Sequence, residues 1–182
     1  HFPNVTLVGV VYADLSLHMP DFRAGERTFQ LLAQVAGRAG RGEVAGEVMV
    51  QTYTPHHVAV QTARRTDYEG FCDQELEFRR ELDYPPFAHL VCITVKARSE
   101  EQAKFFTAAL AGKLNGALAS RARISDPAPA PLARAKGYFR FQIMLRSKST
   151  RVMTEAIKRS LAEFKMPRDM TCSVDVDAID LL

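Results

Sequence analysis

Hydrophobic residues run almost unbroken from Val5 to Val11 (VTLVGVV), the pattern of a strand covered on both faces as in a parallel sheet. A loop holding His18, Met19 and Pro20 leads to Asp21, a candidate N-cap for a helix over residues 22–41, with Glu26 adding negative charge near its start. Gly42 and Gly46 close that helix, and Glu47 to Tyr53 (EVMVQTY) reads as a second strand. Strand, helix, strand suggests the tail of an α/β lobe built on a parallel sheet. Residues 58–82 continue in a charged helical pattern that offers Phe71, Leu76, Phe78 and Leu82 for burial. Asp83-Tyr84-Pro85-Pro86 stops it, because consecutive prolines remove backbone donors and push the preceding residue out of the helical region. A domain boundary is expected there, dividing residues 1–82 from 83–182.

The second part alternates more cleanly. His89 to Ala97 (HLVCITVKA) reads as a strand, and Ser99 caps a helix through Leu118 with Glu100 and Glu101 in its first turn. A short strand at 123–125 runs into Asp126 to Pro131 (DPAPAP), expected as an extended loop of polyproline character. In Tyr138 to Arg146 (YFRFQIMLR), Phe139, Phe141, Ile143 and Leu145 point one way; Tyr138, Arg140, Gln142, Met144 and Arg146 point the other. Ser149 or Thr150 opens a helix to about Phe164, and Thr171 to Val176 closes as a strand. The order β-α-β-β-α-β predicts a small α+β domain with a four-stranded sheet and helices on one face.

Composition adds boundaries. The 182 residues are 47% hydrophobic and 25% charged, ordinary globular usage that excludes a disordered chain, a fibrous repeat or a disulfide-stapled miniprotein. No apolar run approaches the ~20 residues a bilayer span needs, and no secretory leader is read, so a cytoplasmic protein with no membrane role is expected. Cys72, Cys92 and Cys172 are far apart and lack metal-ligand spacing, so each is expected as a small, partly buried residue and no metal site follows. His56 and His57 are adjacent and read as loop residues. The chain opens at His1, without Met and directly in a strand, and is expected to be a piece of a longer protein.

Candidate chemistry concentrates in Gln34 to Arg41 (QVAGRAGR). On a helix, Gln34, Arg38 and Arg41 fall at i, i+4 and i+7 on one side, with Phe29, Leu32, Ala36 and Ala39 opposite. Arginine stays charged and donates in a planar fork that suits phosphate, and Gly37 and Gly40 allow a close approach. A solvated arginine face is the plainer alternative. It leaves the two glycines unexplained, since each costs a helix interior about 1 kcal/mol.

QxxGRxGR resembles motif VI of superfamily-2 helicases. The surrounding text, including Phe2-Pro3-Asn4, Ala13-Asp14-Leu15, Pro20-Asp21-Phe22-Arg23-Ala24, Tyr84-Pro85-Pro86-Phe87, Tyr138-Phe139-Arg140-Phe141-Gln142 and Asp175-Val176-Asp177, resembles the PriA, or primosomal protein N′, family of replication-restart helicases. The likeness covers essentially the whole chain in the family's order. It implies that residues 1–82 are the end of the second RecA-like helicase lobe, carrying the end of motif V and motif VI. Residues 83–182 are then the family's C-terminal domain for DNA and partner binding. It further implies an ATP-dependent 3′–5′ DNA helicase that recognises stalled or branched forks and starts primosome assembly. Arg41 would be the finger on the transferring phosphoryl group, Arg38 its support at the nucleotide, and Gln34 the link between nucleotide state and lobe closure. Asp14 is either a structural or a functional carboxylate.

The G-x-x-x-x-G-K-[ST] loop and the acidic pair that holds magnesium are not in these 182 residues, so ATP and Mg2+ are implied only for the complete protein. Zinc is likewise implied for the complete family member, with no ligands here. This stretch alone is expected to hydrolyse no ATP.

Charge gives a separate signal. Between Arg134 and Arg168 stand ten Lys or Arg against Glu155 and Glu163, while the tail after Arg168 is acidic. Tyr138, Arg140, Arg146, Lys148 and Arg151 are the candidates for forked or single-stranded DNA or a protein partner. Phe139 and Phe141 read as core. The resemblance implies further partners: the single-stranded DNA-binding protein, whose acidic tail Arg151 could pair, other primosome proteins and the replicative helicase loader. It also implies a bacterial, nucleoid-associated setting. Two alternatives stay open: a non-enzymatic DNA- and protein-binding module, or a fragment of another superfamily-2 helicase.

Overall fold

The computed structural model of the chain describes residues 5–39 and 46–178. It separates into two compact units, residues 1–78 and 79–182.

In the first unit, β1 (Leu7–Val10) pairs in parallel with β2 (Glu47–Val50), in the register Leu7↔Glu47 to Val10↔Val50. The apolar run is not covered on both faces as expected. Leu7, Val11 and Met49 are exposed, and one face of the pair has no packing partner among the described residues. Between the strands lie the short α1 (Asp14–Leu17) and α2 (Ala24–Ala36); α3 (Val58–Arg65) and α4 (Tyr68–Glu81) follow. Phe29 of α2 stacks on Phe71 of α4, with ring centroids 4.3 Å apart and 5° between planes. Leu32, Ala59, Val60 and Ala63 complete this core.

Two expectations are corrected here. Asp21 does not cap from the position assigned. Arg23 is the N-cap residue, while Asp21 accepts from the Arg23 N–H at 2.9 Å and ion-pairs Arg27 at 3.0 Å. Residues 58–82 form two helices, because Thr66 turns into the left-handed region at φ 56° and its N–H closes onto Ala63 O. The division between the compact units falls at residues 78 and 79, inside α4 and four residues before the expected boundary. The last turn of α4 belongs to the second unit: Tyr84 N–H donates to Arg79 O at 2.8 Å, and Arg79 Nη1 reaches Pro85 O at 3.5 Å.

The second unit is an antiparallel sheet of β3 (His89–Ala97), β4 (Arg123–Ile124), β5 (Ala128–Ala135), β6 (Tyr138–Ser147) and β7 (Thr171–Val176). The order is β4-β6-β3-β7, with β5 also on β6. The sheet thus has five strands where four were expected. The Asp126–Pro131 segment is not a free polyproline loop, for Ala128 and Pro129 pair with Gln142 and Phe141. Proline is accommodated because β5 is an edge strand, interrupted by an irregularity between Pro129 and Arg134. β4 and β5 occupy the same side of β6 at successive positions, so together they take the place of one edge strand.

Two helices, α5 (Glu100–Leu118) and α6 (Thr150–Ala162), cover one face of the sheet. Ser99 and Ser149 cap them through their hydroxyls, accepting from Gln102 and Val152 N–H. Val91, Ile93 and Val95 from β3, Ile143 and Leu145 from β6, and Leu110, Leu114, Met153 and Ile157 from the helices form the core between the layers. Phe141 is buried among them and Phe139 packs against them, as the alternation of β6 required.

Candidate functional site

Gln34 stands exposed on α2, but that helix stops at Ala36, with Gly37 as its C-cap. Arg38 is exposed in the following turn, its N–H on Val35 O at 3.0 Å. Arg41 lies outside the described residues, as do His1 to Asn4. The helix expected to run to residue 41 thus ends at Ala36 with Gly37 as its cap, where glycine makes continuation costly, so Arg38 follows in a turn instead of on the helix. Ala36 is exposed in consequence instead of facing the core.

Asp14 is a structural latch. Fully buried at 0% exposure, it accepts from the Tyr53 N–H at 2.9 Å, the Thr54 N–H at 3.0 Å, Thr52 Oγ1 at 2.8 Å and Thr54 Oγ1. The Thr54 hydroxyl above all, then the Tyr53 N–H and its neighbours, hold its carboxyl far below the ordinary range against the opposing effect of burial. His57, expected in a loop, is the N-cap of α3, its Nδ1 accepting from Ala59 N–H at 3.2 Å. The cysteines are free thiols; burial pushes Cys172 up to about 11, so it stays protonated and inert at neutral pH.

In the second unit, the face of the sheet away from the helices carries the even-numbered residues of β3 and β6. Register sets Lys96 directly opposite Arg140, Thr94 opposite Gln142, and Cys92 opposite Met144. Two cations facing each other across a strand pair repel. Arg140 Nε is buried and has no hydrogen-bond partner among the described residues. Two residues beyond the pair, Arg98 lies over the Tyr138 ring, 5.3 Å from its centroid. Three cations and an aromatic ring thus share one corner of the sheet. Further along this face, β7 places Asp175 opposite Cys92. Lys96 and Arg98 were missed in the sequence because they become neighbours of Arg140 and Tyr138 only through strand register. Such a corner can neutralise phosphates and offer a stacking surface to a base.

The other candidates stand elsewhere. Arg146 Nη1 donates to Leu82 O at 2.5 Å and its guanidinium lies over the Tyr84 ring at 4.6 Å. Lys148 Nζ donates to Phe87 O at 2.7 Å and pairs with Asp83 at 3.3 Å, its side chain 71% exposed. Arg151, 86% exposed, pairs with Glu155 four residues on at 2.7 Å. The structure therefore splits the predicted set into Tyr138 with Arg140 at one corner, Arg146 with Lys148 near the 82–87 loop, and Arg151 on α6. Among the described residues no cluster of His, Cys, Asp and Glu is arranged to hold a metal, and no helix is long and apolar enough to cross a membrane.

Residues 80–179 match the family described as Primosomal protein N C-terminal domain. The chain is 42% identical over 164 residues to replication restart protein PriA of Bacillus subtilis (strain 168), covering 90% of this chain and 20% of that protein. It is 39% identical over 182 residues to that of Treponema pallidum (strain Nichols), covering 100% and 28%. Against that of Haemophilus influenzae it is 35% identical over 182 residues, covering 100% and 25%. The chain thus spans between a fifth and somewhat over a quarter of the length of these relatives. On this match, and on a second unit whose limits coincide with it, the chain belongs to the PriA family, with residues 80–179 forming that family's C-terminal domain.

Proposed function

We propose that this chain is the C-terminal portion of an ATP-dependent 3′–5′ DNA helicase acting in replication restart, and that its second unit binds forked or single-stranded DNA through the Lys96–Arg98–Tyr138–Arg140 corner. The observation that carries the DNA assignment is the cross-strand pair Lys96↔Arg140. An isolated domain gains nothing from two facing cations, whereas a domain that meets phosphate does. The names of the relatives, each a replication restart protein PriA, support the setting.

In this reading the first unit is the end of the second RecA-like lobe. Gln34, Arg38 and Arg41 face ATP and Mg2+ held by parts of the complete protein beyond these residues; the ATP supplies the phosphoryl chemistry, and the arginines stabilise charge on it. Arg38, exposed beyond the end of α2, is free of helical constraint and can reach a nucleotide. Zinc belongs to the complete protein. Arg151 on the exposed face of α6 offers a guanidinium to a carboxylate partner such as the acidic tail of the single-stranded DNA-binding protein, in exchange for Glu155. Other primosome proteins and the helicase loader would dock on the assembled complex.

A second reading, a binding module without a catalytic contribution, is favoured by one observation: α2 ends at Ala36, before Arg38, so Arg38 does not continue the helix that carries Gln34. Substitution in the complete protein separates the two. Arg41→Ala is expected to abolish DNA-stimulated ATP hydrolysis and leave DNA affinity within about twofold. Unchanged hydrolysis would favour the module.

A further inference from the structure

We propose a second oxyanion site in the second unit, a phosphate pocket beside the 82–87 loop whose resting counter-ion is the carboxylate of Asp83. Its ligand, a phosphate group of a nucleic-acid strand, rests on the DNA reading above; its charge and geometry do not. The cavity measures about 310 Å³ and is lined by Arg121, Arg123, Arg146 and Lys148, with Asp83 as its one carboxylate. Four cations against that carboxylate leave three positive charges in excess.

The bonding shows where the excess lies. Asp83 Oδ2 sits 3.1 Å from Arg123 Nε, and Oδ1 3.3 Å from Lys148 Nζ. Arg121 and Arg146 donate to neutral carbonyls, Ala117 O at 2.7 Å and Leu82 O at 2.5 Å, and Arg146 also lies over the Tyr84 ring. Arg123 stands directly opposite Arg146 in the β4–β6 register, the second like-charge pair on this face. Strand pairing thus places cations side by side twice, and here a carboxylate from a loop bridges Arg123 and Lys148. Asp83 holds a left-handed backbone at φ 53°, a conformation uncommon for a residue with a Cβ.

A concave surface lined by one sign of charge concentrates anions, and guanidinium forks match phosphate oxygens. The lining's apolar part is Ala88 and Ala122, with no slot for a large side chain. This favours phosphate over an acidic peptide anchored by an apolar residue. Arg140 and Arg146 lie on the same side of β6, six residues apart. At the rise of a strand that is about 20 Å, the reach of roughly six stacked nucleotides. One strand can therefore engage the corner and the pocket together, displacing Asp83 from Arg123 and Lys148.

The test uses the 182-residue chain. Sodium pyrophosphate is titrated while the amide NMR signals of residues 120–123 are followed, and fluorescence anisotropy measures binding of a 20-nucleotide single strand with and without a 5′-phosphate. Saturable shifts are expected. The double variant Arg121→Gln/Arg123→Gln is expected to lose them, to bind DNA about tenfold more weakly, and to show a log K against log salt slope smaller by about 1 to 1.5. Asp83→Asn, which removes the resident anion, is expected to bind severalfold more tightly, and its opposite sign guards against a folding defect in the double variant. Loss with both oligonucleotides places an internal phosphodiester in the pocket; loss with the phosphorylated one alone places a terminal phosphate there. If DNA binds while the double variant and Asp83→Asn leave affinity and slope unchanged and pyrophosphate shifts nothing, the pocket is refuted and the DNA reading stands. If pyrophosphate shifts the signals and no DNA binds, the DNA reading falls and the oxyanion site remains.

Discussion

Asp14 commits both carboxylate oxygens to the Thr52–Thr54 segment, and its chemistry predicts how the first unit responds to acid. Its folded-state pKa lies far below the ordinary 3.8, chiefly through the Thr54 hydroxyl. The stabilisation it provides is therefore complete above about pH 4 and is lost as pH falls below that toward the folded value. Asp14→Asn is expected to lower the melting temperature of the chain at pH 7 by several degrees and to remove part of this acid dependence, checked by thermal melts from pH 7 to 2. His57 works over a higher range. Burial lowers its pKa from 6.5, against the opposing charges of Glu75 and Asp14. A lowered value means stability that is present above about pH 6.5 and lost as pH falls below it, because an imidazolium cannot accept the Ala59 N–H and opposes the helix dipole. His57→Asp is expected to keep the cap and flatten the stability profile between pH 7 and 5, whereas His57→Ala costs about 0.5–1 kcal/mol at pH 7.5. Asp14 could be singled out in the sequence but its role could not, since its four partners lie about 40 positions away.

Elements packed on one side were the most legible, because a strand half-covered by helices must alternate. Val91, Ile93 and Val95 and Phe141, Ile143 and Leu145 do face the helices at alternate positions, although Leu90, Cys92 and Gln142 are buried on the other face as well, and Ser99 announces α5 through its capping position. Legibility failed where backbone geometry overrides the pattern. Asp126–Pro131 reads as an extended loop of polyproline character, but an edge strand tolerates missing donors, and Ala128 and Pro129 pair with β6. Gly37 ends α2 before the motif VI arginines, and Thr66 divides one apparent helix into two. A two-residue signal also passed unread: Lys136 at φ 49° and Gly137 at φ 80° close the β5–β6 hairpin between the paired Ala135 and Tyr138. Gly137→Ala is expected to cost about 1 kcal/mol by placing a Cβ in that left-handed turn, measured by urea denaturation. Leu110→Ala, fully buried in the helix–sheet core, is expected to cost about 2–5 kcal/mol in the same assay.

For the whole molecule, a net charge of +3 conceals a sorted distribution, with facing cations on the sheet face away from the helices and Asp175 on β7. Sorting of this kind serves polyanion binding, and it predicts affinity governed by salt. The most direct measurement is the binding of forked DNA to the 182-residue chain by anisotropy from 50 to 300 mM salt, compared with Lys96→Gln/Arg140→Gln. The parent is expected to lose affinity linearly in log–log form, and the double variant to show a slope smaller by about 1.5 to 2. Equal slopes for the two proteins, or no binding by the parent at 50 mM salt, would contradict a DNA-binding corner on this sheet.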